Sequence, residues 1–257
     1  MSSFLCAFRM DLRRAFASPL TYISVFAITA ILILGVWQEA SMSSRSSVLY
    51  LFHAEEFSDI EIVIGAAPFA TAFCGEWRSR FTYYAAKRSS LNGYIWSKFV
   101  VASIAAGIVV TLGYAMFIAV LALKYPISAP GSIFDAYAGS AAFGDLLNQG
   151  KDELFLCTLV MRRVLLGMLC AAVAITVTAY IPNKFVALSS PLIFYYFVIN
   201  AIPIRTLNPI FVLSEFGVRL ETEIGTSIHA PVYALIWMFA LGLMFWRGVK
   251  RRVQGHA

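Results

Sequence analysis

The stretch FVVASIAAGIVVTLGYAMFIAVLAL, residues 99–123, decides the fold. It contains no charged residue from end to end. About 20 apolar residues in helical conformation cross the hydrocarbon core of a bilayer. In lipid only a helix or a closed barrel satisfies its own backbone, so this run reads as a transmembrane helix. Five more stretches read the same way: residues 20–37, 60–75, 159–181, 185–204 and 230–246. The expected fold is an all-α integral membrane protein with six transmembrane helices. Residues 1–257 form a single transmembrane domain, with no internal repeat, low-complexity tract or separable soluble part.

Composition carries the same message. Apolar residues make up 60% of the chain and charged residues 13%. Mean hydropathy is +0.76. Soluble domains run about 45–50% apolar and about 25% charged. A soluble domain is therefore excluded, and so is a disordered chain, which needs the opposite balance. The length leaves no room for a catalytic domain beside six spans, so an enzyme or energy source is expected on another chain. The net charge of +6 would raise nucleic-acid binding in a soluble protein. Here the basic residues cluster between apolar spans, which is a topology signal, and no nucleic-acid partner is expected. Cys6, Cys74, Cys157 and Cys170 form no CxxC pair and read as small apolar fillers.

Loop charge orients the bundle. One side holds Arg9, Arg13, Arg14, Arg78, Arg80, Lys87, Arg88, Lys98, Lys184, Arg247, Lys250, Arg251 and Arg252, against Asp11 and Glu76. The other side holds the remaining basic residues and every other acid. The positive-inside rule predicts that both termini are cytoplasmic. At the start, Phe4, Phe8, Leu12, Ala15 and Phe16 recur at helical spacing beside Arg9, Arg13 and Arg14. That pattern predicts an amphipathic interfacial helix rather than a cleaved secretory signal. Two outer connections are long, residues 38–59 and 124–158, the second with a short helix expected around 143–147. A third, residues 205–229, contains an apolar run at 210–220 that could dip into the membrane edge.

The most informative segment joins the second and third spans. It reads EWRSRFTYYAAKRSSLNGYIWSK, residues 76–98. Antiparallel helices need only about 2–8 connecting residues, and this connection is longer, basic and aromatic. Phe81, Tyr84 and Arg88 share a helix face, and residues 89–93 supply turn chemistry. The reading is a short helix parallel to the membrane that offers charge to a partner. The plainer alternative is a basic loop on anionic lipid.

This arrangement resembles the permease subunit of type-2 ATP-binding-cassette (ABC) exporters. Those permeases have six spans, cytoplasmic termini and an amphipathic helix at the start. A glutamate ends their second span, a basic coupling segment follows, and a lysine enters the third. Glu76, Thr82, Arg88, Tyr94 and Lys98 match that pattern, with Arg78, Arg80 and Lys87 supplying its basic character. Asn208-Pro209-Ile210-Phe211 is similar to the family's outer re-entrant segment. Two positions depart from the pattern: Phe81 stands where a glycine is common, and a proline past mid-segment is missing. The resemblance implies a cytoplasmic coupling helix between spans two and three. It also implies two permease chains, expected as a homodimer, and two ATPase subunits that carry ATP and Mg²⁺. This chain has no G-x-x-x-x-G-K-[ST] phosphate loop and cannot bind ATP in that way, so ATP hydrolysis is expected on the partner subunit, and neither a cofactor nor enzyme activity is expected on this chain. The implied function is export of a hydrophobic or amphipathic substrate such as a drug, lipid or peptide, across a prokaryotic plasma membrane. The alternatives are export of a lipid-linked polysaccharide, a non-transporting membrane scaffold, or an immunity protein.

Other residues offer weaker signals. Asp59 and Glu61 stand at the outer mouth of the second span and could pair with Arg162 and Arg163. The reading favoured here is that the span starts later and both acids are hydrated. Pro191 interrupts the fifth span after Ser189 and Ser190, whose hydroxyls could serve the carbonyl that proline leaves open. Beyond it Phe194, Tyr195, Phe197 and Asn200 could line a pathway, or form an interfacial aromatic belt. Small residues at four-residue spacing, Ala102/Ala106, Ser103/Gly107 and Gly167/Ala171, allow close helix approach within the chain or between chains. No His, Cys and carboxylate grouping suggests a metal site.

Overall fold

The computed structural model describes residues 3–38, 58–79, 90–126, 143–213 and 223–255. The described elements are all helical: α1 (Ser3–Ala17), α2 (Pro19–Gln38), α3 (Ser58–Arg78), α4 (Leu91–Ala122), α5 (Gly144–Asn148), α6 (Asp152–Tyr180), α7 (Lys184–Ala201), α8 (Pro209–Leu213) and α9 (Glu223–Gly255), with one 3₁₀ turn at Arg205–Leu207. Six of them, α2, α3, α4, α6, α7 and α9, are long and apolar enough to cross a bilayer. The chain is a multi-pass helical membrane protein.

Helix ends follow local chemistry, and this is where the expected spans change. α4 begins at Leu91 rather than Phe99, because Ser90 accepts a hydrogen bond from the Gly93 amide at 3.3 Å. That side chain serves one of the amides that a helix start leaves without an intrahelical partner. Asn92 and Gly93, expected in a turn, are therefore the first turn of a helix. α6 also starts earlier than expected, at Asp152 with Glu153 behind it, two acids that complement the helix dipole. Asn183 caps α7 by accepting from the Phe185 amide at 2.9 Å. α3 and α9 likewise outrun the expected 60–75 and 230–246, whereas α2 matches the expectation within a residue at each end.

α6 is the hub, packed on α3, α4, α7 and α9. Small residues let it approach closely. Ala66, Ala70, Ala106, Ala171 and Ala174 meet where α3, α4 and α6 join. A side chain at Gly107 would sit 2.9 Å from Met168 Cγ, and one at Gly167 would sit 2.9 Å from Val110 Cγ2. The small-residue pairs at these positions thus serve packing within the chain.

Pro191 leaves the Ala187 carbonyl without its usual amide donor. The Ser190 hydroxyl donates to that carbonyl at 3.0 Å, which repairs the α7 helix from the side chain. After α7, buried Asn208 stitches two helix ends together. Its Nδ2 donates to the carbonyls of Val198 and Ile202, and its Oδ1 accepts from the Ile210 amide at 3.0 Å. The Asn-Pro pair therefore ends α7 and starts α8, whose Ile210, Val212 and Leu213 enter the main core.

Both ends of the described chain lie at one end of the bundle. α1 packs along the start of α4, and near the end of α9 Trp246 Nε1 donates to Asn92 Oδ1 at 2.9 Å. Arg252 of α9 donates to the Tyr180 carbonyl at the same end.

Candidate functional site

The cluster that stands out joins the three elements at the α1 end. Lys98, in the second turn of α4, is fully buried, and its Nζ lies 2.6 Å from Asp11 Oδ1 and 2.6 Å from Glu76 Oε1. The Ser97 hydroxyl donates to Asp11 Oδ2 at 2.9 Å. The Tyr94 hydroxyl donates to Glu76 Oε2 at 2.5 Å, and Arg14 Nη1 donates to Glu76 Oε1 at 3.1 Å. Two carboxylates and two cations make the group electrically neutral. The Lys98 ammonium also lies over the rings of Phe69 and Tyr94, at 5.3 and 5.5 Å from their centroids.

The elements place these groups for reasons visible in the sequence. On α1 the buried residues are Ala7, Asp11 and Ala15, one stripe at four-residue spacing. Alanines on either side of Asp11 let the helix approach α4 closely enough for a short carboxylate to reach Lys98. The expected apolar face of α1 is only half the picture: Phe8 and Leu12 pack on the core, but the most buried stripe is this alanine–aspartate one. Glu76 sits in the last turn of α3, and Tyr94 and Lys98 stand four residues apart on one face of α4. Sequence reading found Glu76, Tyr94 and Lys98. It missed Asp11, Ser97 and Arg14 as partners. The spacing of Ala7, Asp11 and Ala15, with the one acid in a basic helix, was the available signal.

Of the other expected coupling residues, Arg78 ends α3 and is exposed. Arg80, Thr82, Lys87 and Arg88, and with them the expected coupling helix, lie outside the described residues. The cluster therefore brackets that segment from both sides.

A second buried grouping lies toward the opposite end of the same two helices. The Tyr114 hydroxyl donates to Glu61 Oε2 at 2.8 Å, and Arg163 of α6 interacts electrostatically with the same carboxylate. Glu61 is only 4% exposed, so the favoured expectation that it is hydrated is corrected. The physical reason is that α3 starts at Ser58, before Glu61, and carries the acid against α4 and α6. Asp59 belongs to the first turn of α3. Arg162, also buried, lies over the Phe143 ring at 4.8 Å.

The expected pathway residues of α7 divide. Phe197 and Asn200 line an open groove of about 610 Å³ with Leu192, Ile193 and Tyr196. Phe194 instead packs edge-on against Trp237 of α9, and Tyr195 and buried Pro191 belong to the packed side of the helix.

The chain matches no family model, no curated protein and no solved structure.

Proposed function

We propose that this chain is the permease subunit of a type-2 ABC exporter. In this reading both termini are cytoplasmic, and the segment 80–89 is the coupling element gripped by a separate ATPase. Two copies of the chain work with two ATPase subunits, which bind ATP and Mg²⁺. The cargo is hydrophobic or amphipathic: a drug, lipid or peptide, moved along a pathway to which the α7 groove belongs. The membrane is a prokaryotic plasma membrane.

One observation supports this reading above the others. Asp11, Glu76, Tyr94 and Lys98 tie α1, the end of α3 and the start of α4 together at both edges of the segment 80–89. A push on that segment would meet helix ends that cannot slide past one another without separating buried charges. Separating a buried pair costs about 3–5 kcal/mol. Movement would therefore pass into α3 and α4 as rigid rods rather than dissipate in a loose joint.

The test is purification from native membranes in mild detergent, with mass spectrometry of the co-purifying proteins. A stoichiometric ATPase carrying a G-x-x-x-x-G-K-[ST] loop is expected. Changing Arg80, Lys87 and Arg88 to Glu is expected to remove it while leaving the thermal unfolding of the chain unchanged. A folded wild-type chain that repeatedly purifies without any ATPase sinks the proposal and favours a scaffold.

A further inference from the structure

The α1 end carries a second collection of charge, separate from the buried cluster. α3 packs on α7, so Arg78, the last residue of α3, and Lys184, the first of α7, lie at the same end of that helix pair, and both act electrostatically on Cys74. Arg252 of α9 joins them. Its guanidinium lies over the Trp77 ring at 5.3 Å from the centroid and donates to the Tyr180 carbonyl, which stands just before the link into α7. α3, α7 and α9 thus each carry a cation to this end of the bundle, with Arg252 lying between the end of α3 and the link into α7. Asp11 and Glu76 are the only acids among the described residues at this end, and both are committed to Lys98 and its neighbours. The sequence of the segment 79–90 adds no acid.

Like charges brought together by separate elements repel, weakly where water screens them, and an anion among them relieves that repulsion. The corner adds two further features. α7 begins at Lys184, so the positive end of its dipole faces the same place. Beside the cations the surface turns apolar at once: Ile181 is 51% exposed and Phe185 83%. Cations beside exposed apolar side chains, next to Trp77 and Tyr180, fit a molecule with a charged head and a hydrocarbon tail at the membrane interface.

We propose that Arg78, Lys184 and Arg252 form a binding site for the headgroup phosphate of an anionic phospholipid in the leaflet at this end, with its acyl chains against Ile181 and Phe185. A guanidinium has five N–H donors in a fixed plane, so Arg252 can hold the Tyr180 carbonyl and still offer a donor to a phosphate oxygen. The site does not depend on the exporter reading.

The test uses the full chain in nanodiscs of phosphatidylcholine mixed with phosphatidylglycerol, with the lipid retained by the protein measured by native mass spectrometry. Wild type is expected to retain phosphatidylglycerol over phosphatidylcholine. Each cation removed is expected to lower that preference about fivefold. The variant Arg78→Gln/Lys184→Gln/Arg252→Gln should therefore lose it, while Arg9→Gln/Arg13→Gln, at the same end but on α1, should keep it. Lys184→Gln alone changes an exposed side chain and reads the effect even where the triple variant folds poorly. Three results overturn the proposal. Equal loss in the α1 variant would mean diffuse surface charge. Displacement of the lipid by added inorganic phosphate would mean a site for a soluble anion. Unchanged lipid retention with loss of a co-purifying protein would mean a protein-docking corner.

Discussion

The two ends of the α3–α4 pair are built on one plan and finished differently. At each end a glutamate of α3 accepts a hydrogen bond from a tyrosine of α4: Glu76 from Tyr94 at 2.5 Å, Glu61 from Tyr114 at 2.8 Å. At the α1 end a third element enters, and Lys98 stands between two carboxylates. Toward the other end the carboxylate meets the charge of Arg163 on the hub helix. The first arrangement fastens a peripheral helix to the bundle. The second fastens the bundle to itself. A joint that must transmit movement belongs at the first, and a fixed anchor suits the second.

The strongest way to break the comparison is at Lys98. Lys98→Met keeps most of the volume and leaves Asp11 as a buried charge without its cation. Removing one partner of a buried pair costs about 3–5 kcal/mol. The expected outcome is a large fall in the thermal unfolding temperature in detergent, read by intrinsic fluorescence. Adding Asp11→Asn to Lys98→Met should restore part of that fall, because the stranded charge is gone. If the double variant is as unstable as the sum of the two single variants, the residues act independently and the joint is not a unit.

Much of this was legible beforehand, and the parts that were not share a cause. Hydropathy finds the six spans because each must be apolar to cross lipid, whatever its neighbours are. Helix ends are harder. Leu91–Lys98 was read as turn and lead-in, since Asn92 and Gly93 are ordinary turn residues. Ser90 and the burial of Tyr94 and Ile95 against the core override that preference. Glu76, Tyr94 and Lys98 stood out through the pattern of the segment between the spans. Asp11 did not, because its meaning depends on Ser97 and Lys98, more than eighty residues away in sequence. Glu61 was misjudged for a related reason: an acid near a span end looks hydrated until a partner such as Tyr114, from another helix, is known. The Ala7–Asp11–Ala15 spacing can mark Asp11 as facing a neighbour, but which distant residue it meets carries no local signature.

A smaller effect sharpens the contrast between the two ends. Tyr94→Phe and Tyr114→Phe each delete one hydroxyl. Leaving a buried acceptor short of a partner costs about 1–3 kcal/mol. Glu76 keeps Lys98 and Arg14, and 14% of its side chain remains exposed, so water can replace the lost donor. Glu61 is nearly sealed. Tyr114→Phe should therefore lower the unfolding temperature more than Tyr94→Phe. The opposite order would mean that the α1 end depends on its tyrosine and that the two ends do not differ in the way described.

The smallest effect is expected at Arg14, and its smallness is informative. Arg14 and Lys98 both reach Glu76 Oε1, at 3.1 and 2.6 Å. By charge count they are equivalent, since removing either leaves the cluster at minus one. By position they are not. The Arg14 side chain is 48% exposed and that of Lys98 is fully buried. Without Arg14 the surplus charge rests on Glu76, which touches water. Without Lys98 it rests partly on Asp11, which does not. Arg14→Gln should then cost under about 1 kcal/mol, the ordinary worth of an exposed pair, and the difference should shrink further in high salt. A cost near that of Lys98→Met, insensitive to salt, would show that neutrality of all four charges holds the joint. A small, salt-screened cost would show that the buried Asp11–Lys98 pair holds it.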